Sequence, residues 1–445
     1  MLKKYFEYLK YVVILKRVQV VPASFLIYLT MKKGTDMNTR EDILRLIEEE
    51  DIEFIRLQFT DAWGNLKNIA VTPRQIDKAS DNKFPFDGSA LFDGKADFND
   101  ELFLVPDLDS FVILPWRPQQ GKVGKMTCDV TYSDGSPVSF SPRTILMKTI
   151  KEAKDLGFAF KVNPECEFFL FNTDENGMPT VVSHEKAGYL DVGPIDFGEN
   201  CRRDMVLNLE DMGFEVESSH HEEAPAQHEI DFGASEPLKC ADDIMTFRFA
   251  VRSIAKRFGL YATFLPKPHT GHAGSGMHLN FVVYKDGVNI FSNEGAAELG
   301  AQFEAGILKH AEGMCSVTNP IVNSYKRIIA SLDKNACLTR VRESFGETRL
   351  EVRFPDSAAN PYLAIALCIK AGLNGIAGKL NREENSGKLP LTLSEALKSM
   401  DGDELVKETL GKDFSYIYIH SKEKEWKEYM TQVSDWEIEK YLIKM

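Results

Sequence analysis

The sequence predicts an α+β chain in two parts, a small N-terminal domain of strands with one or two helices, then a larger domain mixing strands with long helices. Three observations carry this. Alternating apolar and polar residues at 52–57 and 66–71 flank a turn at Asp61-Ala-Trp-Gly64, a strand–turn–strand signal. A polar, turn-rich stretch, Tyr132-Ser-Asp-Gly-Ser-Pro137, separates that region from the rest. Beyond it, the helix-starting Ser141-Pro142-Arg143 and an apolar run at 160–171 open a second unit. A chain of 445 residues is long enough for both. The expected division is 1–36 as an extension outside the fold, 37–136 as the small domain and 137–445 as the large one.

Residues 1–36 hold two apolar runs, Tyr11-Val-Val-Ile-Leu15 and 18–31, split by Lys16-Arg17. Neither reaches the ~20 apolar residues that cross a bilayer, and no small-residue cleavage site follows. At Met37 the pattern changes to Asn38-Thr-Arg-Glu-Asp-Ile-Leu-Arg-Leu-Ile-Glu48, an amphipathic helix with an early cap, so Met37 is the expected start. Next, 73–78 predicts a short helix and 102–116 two strands broken at Pro106-Asp107. Helices over 141–156 and 242–258, a strand at 228–232 and a charged helical tail after Asn381 complete the outline.

The net charge of -14 argues against a nucleic-acid backbone or an anionic membrane as partner, so a phosphate-handling site must gather its arginines locally. The seven cysteines are scattered, with no C-x-x-C pair, which fits reduced thiols in a cytoplasmic protein.

Four motifs carry chemistry. In Glu165-Cys166-Glu167, strand alternation puts both carboxylates on one face, where they repel unless a cation neutralises them; a solvated strand edge is the alternative. The stretch 217–229 packs His220, His221 and His228 among Glu217, Glu222, Glu223 and Glu229, an oxygen-rich set suited to Mg²⁺ or Mn²⁺, without the i, i+4 histidines of a zinc protease. In Gly271-His-Ala-Gly274-Ser-Gly276-Met-His278 the glycines permit close approach to a ligand, while His278 alone also reads as a structural histidine. In Thr348-Arg-Leu-Glu-Val-Arg353, alternation sets Arg349 and Arg353 on either side of Glu351, able to hold a cation and an anion together or to form a surface ion-pair ladder. Arg327 is a further anion clamp.

The order and wording of these motifs resemble bacterial type I glutamine synthetases, from about Met37 onward. The matching segments include Arg56-Leu-Gln-Phe-Thr-Asp61, Phe86-Asp-Gly-Ser89, Gly198-Glu-Asn-Cys-Arg-Arg-Asp204, Ser219-His-His-Glu222, Gln227-His-Glu229, Phe264-Leu-Pro-Lys-Pro268, Asn323-Ser-Tyr-Lys-Arg327 and Arg349-Leu-Glu-Val-Arg-Phe-Pro-Asp356. The resemblance implies a β-grasp domain followed by a glutamine-synthetase-type catalytic α/β domain, and a homo-oligomer of two stacked hexameric rings with sites between subunits. It implies ATP as co-substrate and two divalent cations, one held by Glu167, Glu222 and Glu229, the other by Glu165, His278 and Glu351. Glu217 falls by ATP, Gly274 and Arg327 by glutamate, and Arg353 by glutamate and the transferring phosphate. Asn280, Arg340 and Arg349 join the substrate- or ATP-binding set, with Arg327, Arg340 and Arg353 also catalytic. Asp61 of a neighbouring subunit binds ammonium and takes its proton. Glutamate, ATP and ammonium or another amine are thus the expected partners, with no nucleic acid and no membrane.

The chain also departs from that pattern. After Arg327 the segment is shorter, without the flap and its glutamate, for which Asp333 is a stand-in. Ala336 replaces an arginine, while Arg340 keeps the next. Ala273 stands in place of an asparagine, Val282 in place of a serine, and Leu91-Phe-Asp-Gly-Lys95 in place of another family motif. Three functions follow: glutamine synthesis, γ-glutamyl ligation to another amine, or a weakly catalytic regulatory or structural role.

Overall fold

The computed structural model describes residues 38–94, 98, 100–117, 120–292, 296–332, 337–344, 346–384 and 387–445. The expected extension at 1–36, and Met37, Lys95, Asp333 and Ala336, lie outside the described residues.

Helix α1 (Arg40–Glu49) begins at Thr39. The Thr39 hydroxyl accepts from the Asp42 amide, and the Asp42 carboxylate accepts from the Thr39 amide, so two orphan donors are satisfied reciprocally. Its Ile43 and Ile47, one turn apart, are buried. Strands β1 (Ile52–Thr60) and β2 (Leu66–Val71) form the expected hairpin, with Thr60 opposite Leu66. After the short helix α2 (Ile76–Ser80) come β3 (Pro85–Asp87), β4 (Glu101–Pro106), β5 (Val112–Ile113) and β6 (Lys122–Thr131). They form one sheet in the order β2–β1–β6–β4–β3, with β5 on β6. The β1–β6 pair is parallel and the other pairs are antiparallel. The break at Pro106-Asp107 is a single 3₁₀ turn, whose Asp109 amide donates to the Asp107 carboxylate. The central strand β6 escaped the sequence reading because it is buried on both faces and so does not alternate.

The larger domain is an antiparallel sheet backed by helices. Its strands are β7 (Phe158–Asn172), β8 (Val216–His221), β9 (Gln227–Phe232), β10 (Leu260–Thr263), β11 (Met277–Lys285), β12 (Val288–Asn289), β13 (Thr339–Ser344) and β14 (Glu347–Val352). Their order is β13–β14–β11–β7–β9–β8, with β10 on β7 and β12 on β11. The helices are α3 (Pro142–Asp155), α4 (Glu199–Asp211), α5 (Pro237–Arg257), α6 (Ala297–Thr318), α7 (Val322–Leu332), α8 (Pro361–Ala377), α9 (Leu393–Gly402), α10 (Glu404–Leu410), α11 (Lys412–Met430) and α12 (Asp435–Tyr441). Helix α5 starts five residues before position 242, because Pro237 occupies the first turn, where its missing N–H costs nothing. Helix α8 is buried almost all round and packs against α6 and α3. A Cβ on Gly306 of α6 would sit 2.1 Å from the Ala371 carbonyl of α8, so the two backbones touch and no larger residue fits.

One apolar core runs through both domains, from Ile43 to Ile419. A charged knot helps join them: Arg143, at the start of α3, pairs with Asp242 of α5 at 3.0 Å, with Asp107 at 2.6 Å and with Asp129. Asn360 caps α8 by accepting from the Tyr362 amide, and its Nδ2 donates to the Asp61 carbonyl at 3.1 Å. Among the described residues no helix is long and apolar enough to cross a membrane.

Candidate active site

The acidic motifs meet because they lie on neighbouring strands in matched register. β7 presents Glu165 and Glu167. β11 sets His278 opposite Glu165, and β14 sets Glu351 opposite Asn280. On the other side, β9 sets Glu229 opposite Glu167 and Asp231 opposite Glu165. Alternation does the sorting: these side chains face a cavity of about 600 Å³, while Cys166, Phe168, Ile230, Leu279 and Phe281 turn into the helix-backed core. Every residue expected at the site except Asp61 and Asn280 lines this cavity.

Glu165, His278 and Glu351 converge. His278 Nδ1 is 3.0 Å from Glu165 Oε2 and 3.4 Å from Glu351 Oε1, and one ligand atom from each lies within 4.8 Å of the other two. Two carboxylates and an imidazole at this spacing suit a hard or borderline divalent cation. Guanidinium groups supply the positive charge here: Arg340 and Arg353 bond Glu351 at 2.7 and 2.6 Å, and Arg342 pairs with Glu165. Burial works to raise the Glu165 carboxyl, but His278, Arg342 and Asn280 outweigh it and hold it at about 2.

For the neighbouring carboxylates burial prevails. It pushes Glu167 up against the opposing charges of His278 and Arg327, and the Glu222 charge adds to the rise. Burial also drives Glu229 well above the usual range, with Asp231, Glu167 and Glu222 repelling it further. Asp231, which the sequence reading did not single out, is raised by burial to about 6. Its signal was available, since alternation from Glu229 puts it on the same face. Crowded, buried carboxylates of this kind fit a second cation, and they are costly without one. Among the described residues the expected trio of Glu167, Glu222 and Glu229 does not gather its ligand atoms within 4.8 Å; Glu229 groups instead with His220 and Asp231.

Gly276 sits where the two halves meet. A Cβ there would fall 2.6 Å from Arg327 Nη2, 3.0 Å from His278 Nε2 and 3.1 Å from Glu167 Oε1. Gly274 backs onto the Pro266 carbonyl, 2.2 Å from its own would-be Cβ. Arg327 is anchored by the carbonyls of Phe354 and Arg353. At the far end, Asn163 Nδ2 donates to Glu217 and its Oδ1 accepts from Arg349 at 2.7 Å.

Asn280 is fully buried beneath the carboxylates, donating to Glu165 Oε1 at 3.0 Å, so it orients that carboxylate instead of lining the cavity. Asp61 lies in the hairpin turn of the small domain, accepting from the amides of Trp63 and Asn65 and lying 3.5 Å from Lys67 Nζ. Burial raises its carboxyl despite those bonds. It is not part of this chain's own cavity.

Behind the hairpin of β8 and β9 is a second acid–histidine cluster that the sequence motif could not separate from the first. Glu185 accepts from His221 Nε2 and the Ala226 amide, both at 2.6 Å, and from the Phe197 amide at 2.7 Å. His221 Nδ1 donates to the Glu222 carbonyl at 2.7 Å. Arg202 joins Asp196 at 2.8 Å to His228 Nδ1 at 2.8 Å.

A cavity with an acidic end for divalent cations and an arginine-lined end for anions is the equipment of an enzyme that handles phosphoryl groups. The comparisons give the family. The sequence matches the profile described as "Glutamine synthetase, beta-Grasp domain" over residues 51–133, and "Glutamine synthetase, catalytic domain" over 139–441. It is 48% identical to a glutamine synthetase of Clostridium saccharobutylicum, over 91% of this chain and 99% of that one. It is 45% identical to one of Staphylococcus aureus, over 91% and 98%. Two solved structures, described as "Apo GmaS without ligand" and "GmaS/ADP complex-Conformation 1", superpose with TM-scores of 0.79 and 0.81 at 29% and 28% identity, covering 90% of this chain and 99% of each. This chain belongs to the glutamine synthetase family, whose members use ATP and divalent metal.

Proposed function

We propose that the protein is a glutamate–ammonia ligase, forming glutamine from glutamate, ammonia and ATP by way of a γ-glutamyl phosphate. The observation that carries this is the convergence of Glu165, His278 and Glu351 with Arg327, Arg340 and Arg353 in one cavity, in a chain close in sequence to glutamine synthetases over nearly their whole length.

In this reading Glu165, His278 and Glu351 hold one divalent cation, and Glu167, Glu222 and Glu229 hold another, as Mg²⁺ or Mn²⁺. Bound there, the cations neutralise charge on the transferring phosphoryl oxygens. Arg340 and Arg353 then shift from Glu351 to those oxygens, and Arg327, fixed by two backbone carbonyls, takes the glutamate carboxylate together with the Gly274 strap. Glu217 and Arg349 bind at the ATP end, with Asn280 holding Glu165 in place. Asp61, in a turn of the small domain, faces the cavity of the next subunit in a ring assembly and binds ammonium there. A buried carboxylate with a raised pKa is suited to take a proton from it.

The test is phosphate release by purified protein with Mg²⁺ or Mn²⁺, ATP and glutamate. Release that requires ammonium and matches glutamine formed supports the proposal. The shorter stretch after Arg327 supports a second reading, since less cover leaves room for a larger acceptor. Release only with an alkylamine or a polyamine favours that γ-glutamyl ligase. ATP binding with no turnover across the amine panel leaves a regulatory or structural role.

A further inference from the structure

Within that reading, we propose that Arg342 is an additional phosphoryl-binding arginine. It is parked on the carboxylates of the Glu165–His278–Glu351 triad when no divalent cation is present, and freed toward the anion when one binds.

Among the described residues β13 is the edge strand of the sheet, paired with β14 along its length. Alternation puts Arg340 and Arg342 on the cavity face while Val341 points outward, 46% exposed. Register then sets Arg340 opposite Glu351, a favourable pair, but Arg342 opposite Arg349. Like charges directly across two strands are destabilising unless anions lie against both. For Arg349 the nearby acid is Glu217, at the proposed ATP end. Arg342 reaches the other way. Its Nη2 donates to Glu165 and lies 3.4 Å from Asn280 Oδ1, and its Nε lies 3.5 Å from Glu351 Oε2.

One guanidinium therefore bridges two of the three residues proposed to hold a cation, from a third strand. A divalent cation among those ligands repels it, because both draw on the same two carboxylates at contact distance. Its side chain, 31% exposed, has the cavity to swing into, and its buried Nε makes no hydrogen bond where it stands. It hangs between Arg340, beside Glu351, and Arg349, beside Glu217. That is the span between the cation triad and the ATP end. Its guanidinium also makes up in number for the arginine absent at position 336.

The test uses the whole protein, Mn²⁺ alone as probe, and Arg342→Gln and Arg342→Lys beside wild type. Without nucleotide, Arg342→Gln binds Mn²⁺ on the order of ten-fold more tightly, read by calorimetry or by the free-Mn²⁺ EPR signal. Its kcat for phosphate release falls on the order of 10²-fold. Arg342→Lys keeps the charge, so its Mn²⁺ affinity stays near wild type, yet it loses most of the turnover for want of a planar fork. Tighter Mn²⁺ binding with unchanged kcat overturns the phosphoryl role, and unchanged Mn²⁺ affinity overturns the parking contact. A loss of fold in Arg342→Gln leaves Arg342→Lys to decide the phosphoryl role and Arg342→Met to decide the parking contact, where tighter Mn²⁺ binding supports it and unchanged binding overturns it. Failure of the ligase reading shows differently, as wild type that releases no phosphate with ammonium.

Discussion

The β8–β9 hairpin carries acids and histidines on both faces, and the faces behave in opposite ways. On the inner face, Glu185 is matched by His221 and Asp196 by Arg202. Burial disfavours a charge on His221, but the bond and charge of Glu185 outweigh it and raise its pKa. Burial and the Arg202 charge drive His228 well below the usual histidine range, so it stays neutral and accepts from Arg202. On the outer face, burial raises Glu167, Glu229 and Asp231, and the charges of Asp231, Glu167 and Glu222 push Glu229 higher still. Both faces bring ligand-type atoms within 4.8 Å of one another. What separates them is charge balance: each inner acid faces a cationic partner, whereas three raised carboxylates share the outer face, which therefore has the greater need of a cation. The inner face serves the outer one through the His221 bond to the carbonyl of Glu222.

The largest effect should come from emptying the outer face. Glu229→Gln is expected to cut phosphate release on the order of 10³-fold, since a cation ligand and its charge go together. Its thermal midpoint should hold or rise, because a buried repelling charge is gone; a clear fall in the midpoint would erase the contrast. Glu185→Ala does the reverse. It leaves a buried charged imidazole and two backbone amides unmatched, and should cost about 3–5 kcal/mol in a denaturant titration. Gly276→Ala, pushing Arg327 against His278 and Glu167, should lower kcat roughly 10²-fold with the fold intact by circular dichroism. The smallest effect is linkage. Mg²⁺ at ten times its Kd should add about 1.4 kcal/mol to wild type. The same increment should appear in a folded inner-face variant and shrink in Glu229→Gln, as followed by the shift in unfolding midpoint.

Much of this is legible in the sequence. Glu165 with Glu167, and Arg349 with Glu351 and Arg353, could be assigned to one face because strand alternation is a local property. The same rule applied from Arg340 would have reached Arg342, and from Glu229 would have reached Asp231. The two faces of the hairpin were not separable, because in the stretch 217–229 the sorting depends on where the turn falls and on the pairing of His221 with His228. Asn280 illustrates a different limit. Its residue type suggests a ligand contact, yet its place beneath Glu165 comes from β11 lying between β7 and β14. The β1–β2 hairpin was plain from its alternation, whereas β6, buried on both faces, offered none.

The turn that carries Asp61 is held by its own amides and side chains, and its carbonyl is clasped by Asn360, which also starts α8. The carboxylate is thus fastened to the frame of its own chain as a fixed stud. If it works in a neighbour's cavity, its aim is set when the subunits pack and is not renewed at each catalytic cycle. Dilution, or any change in how subunits seat, would then act on the proton-transfer step before it disturbed the fold of a single chain.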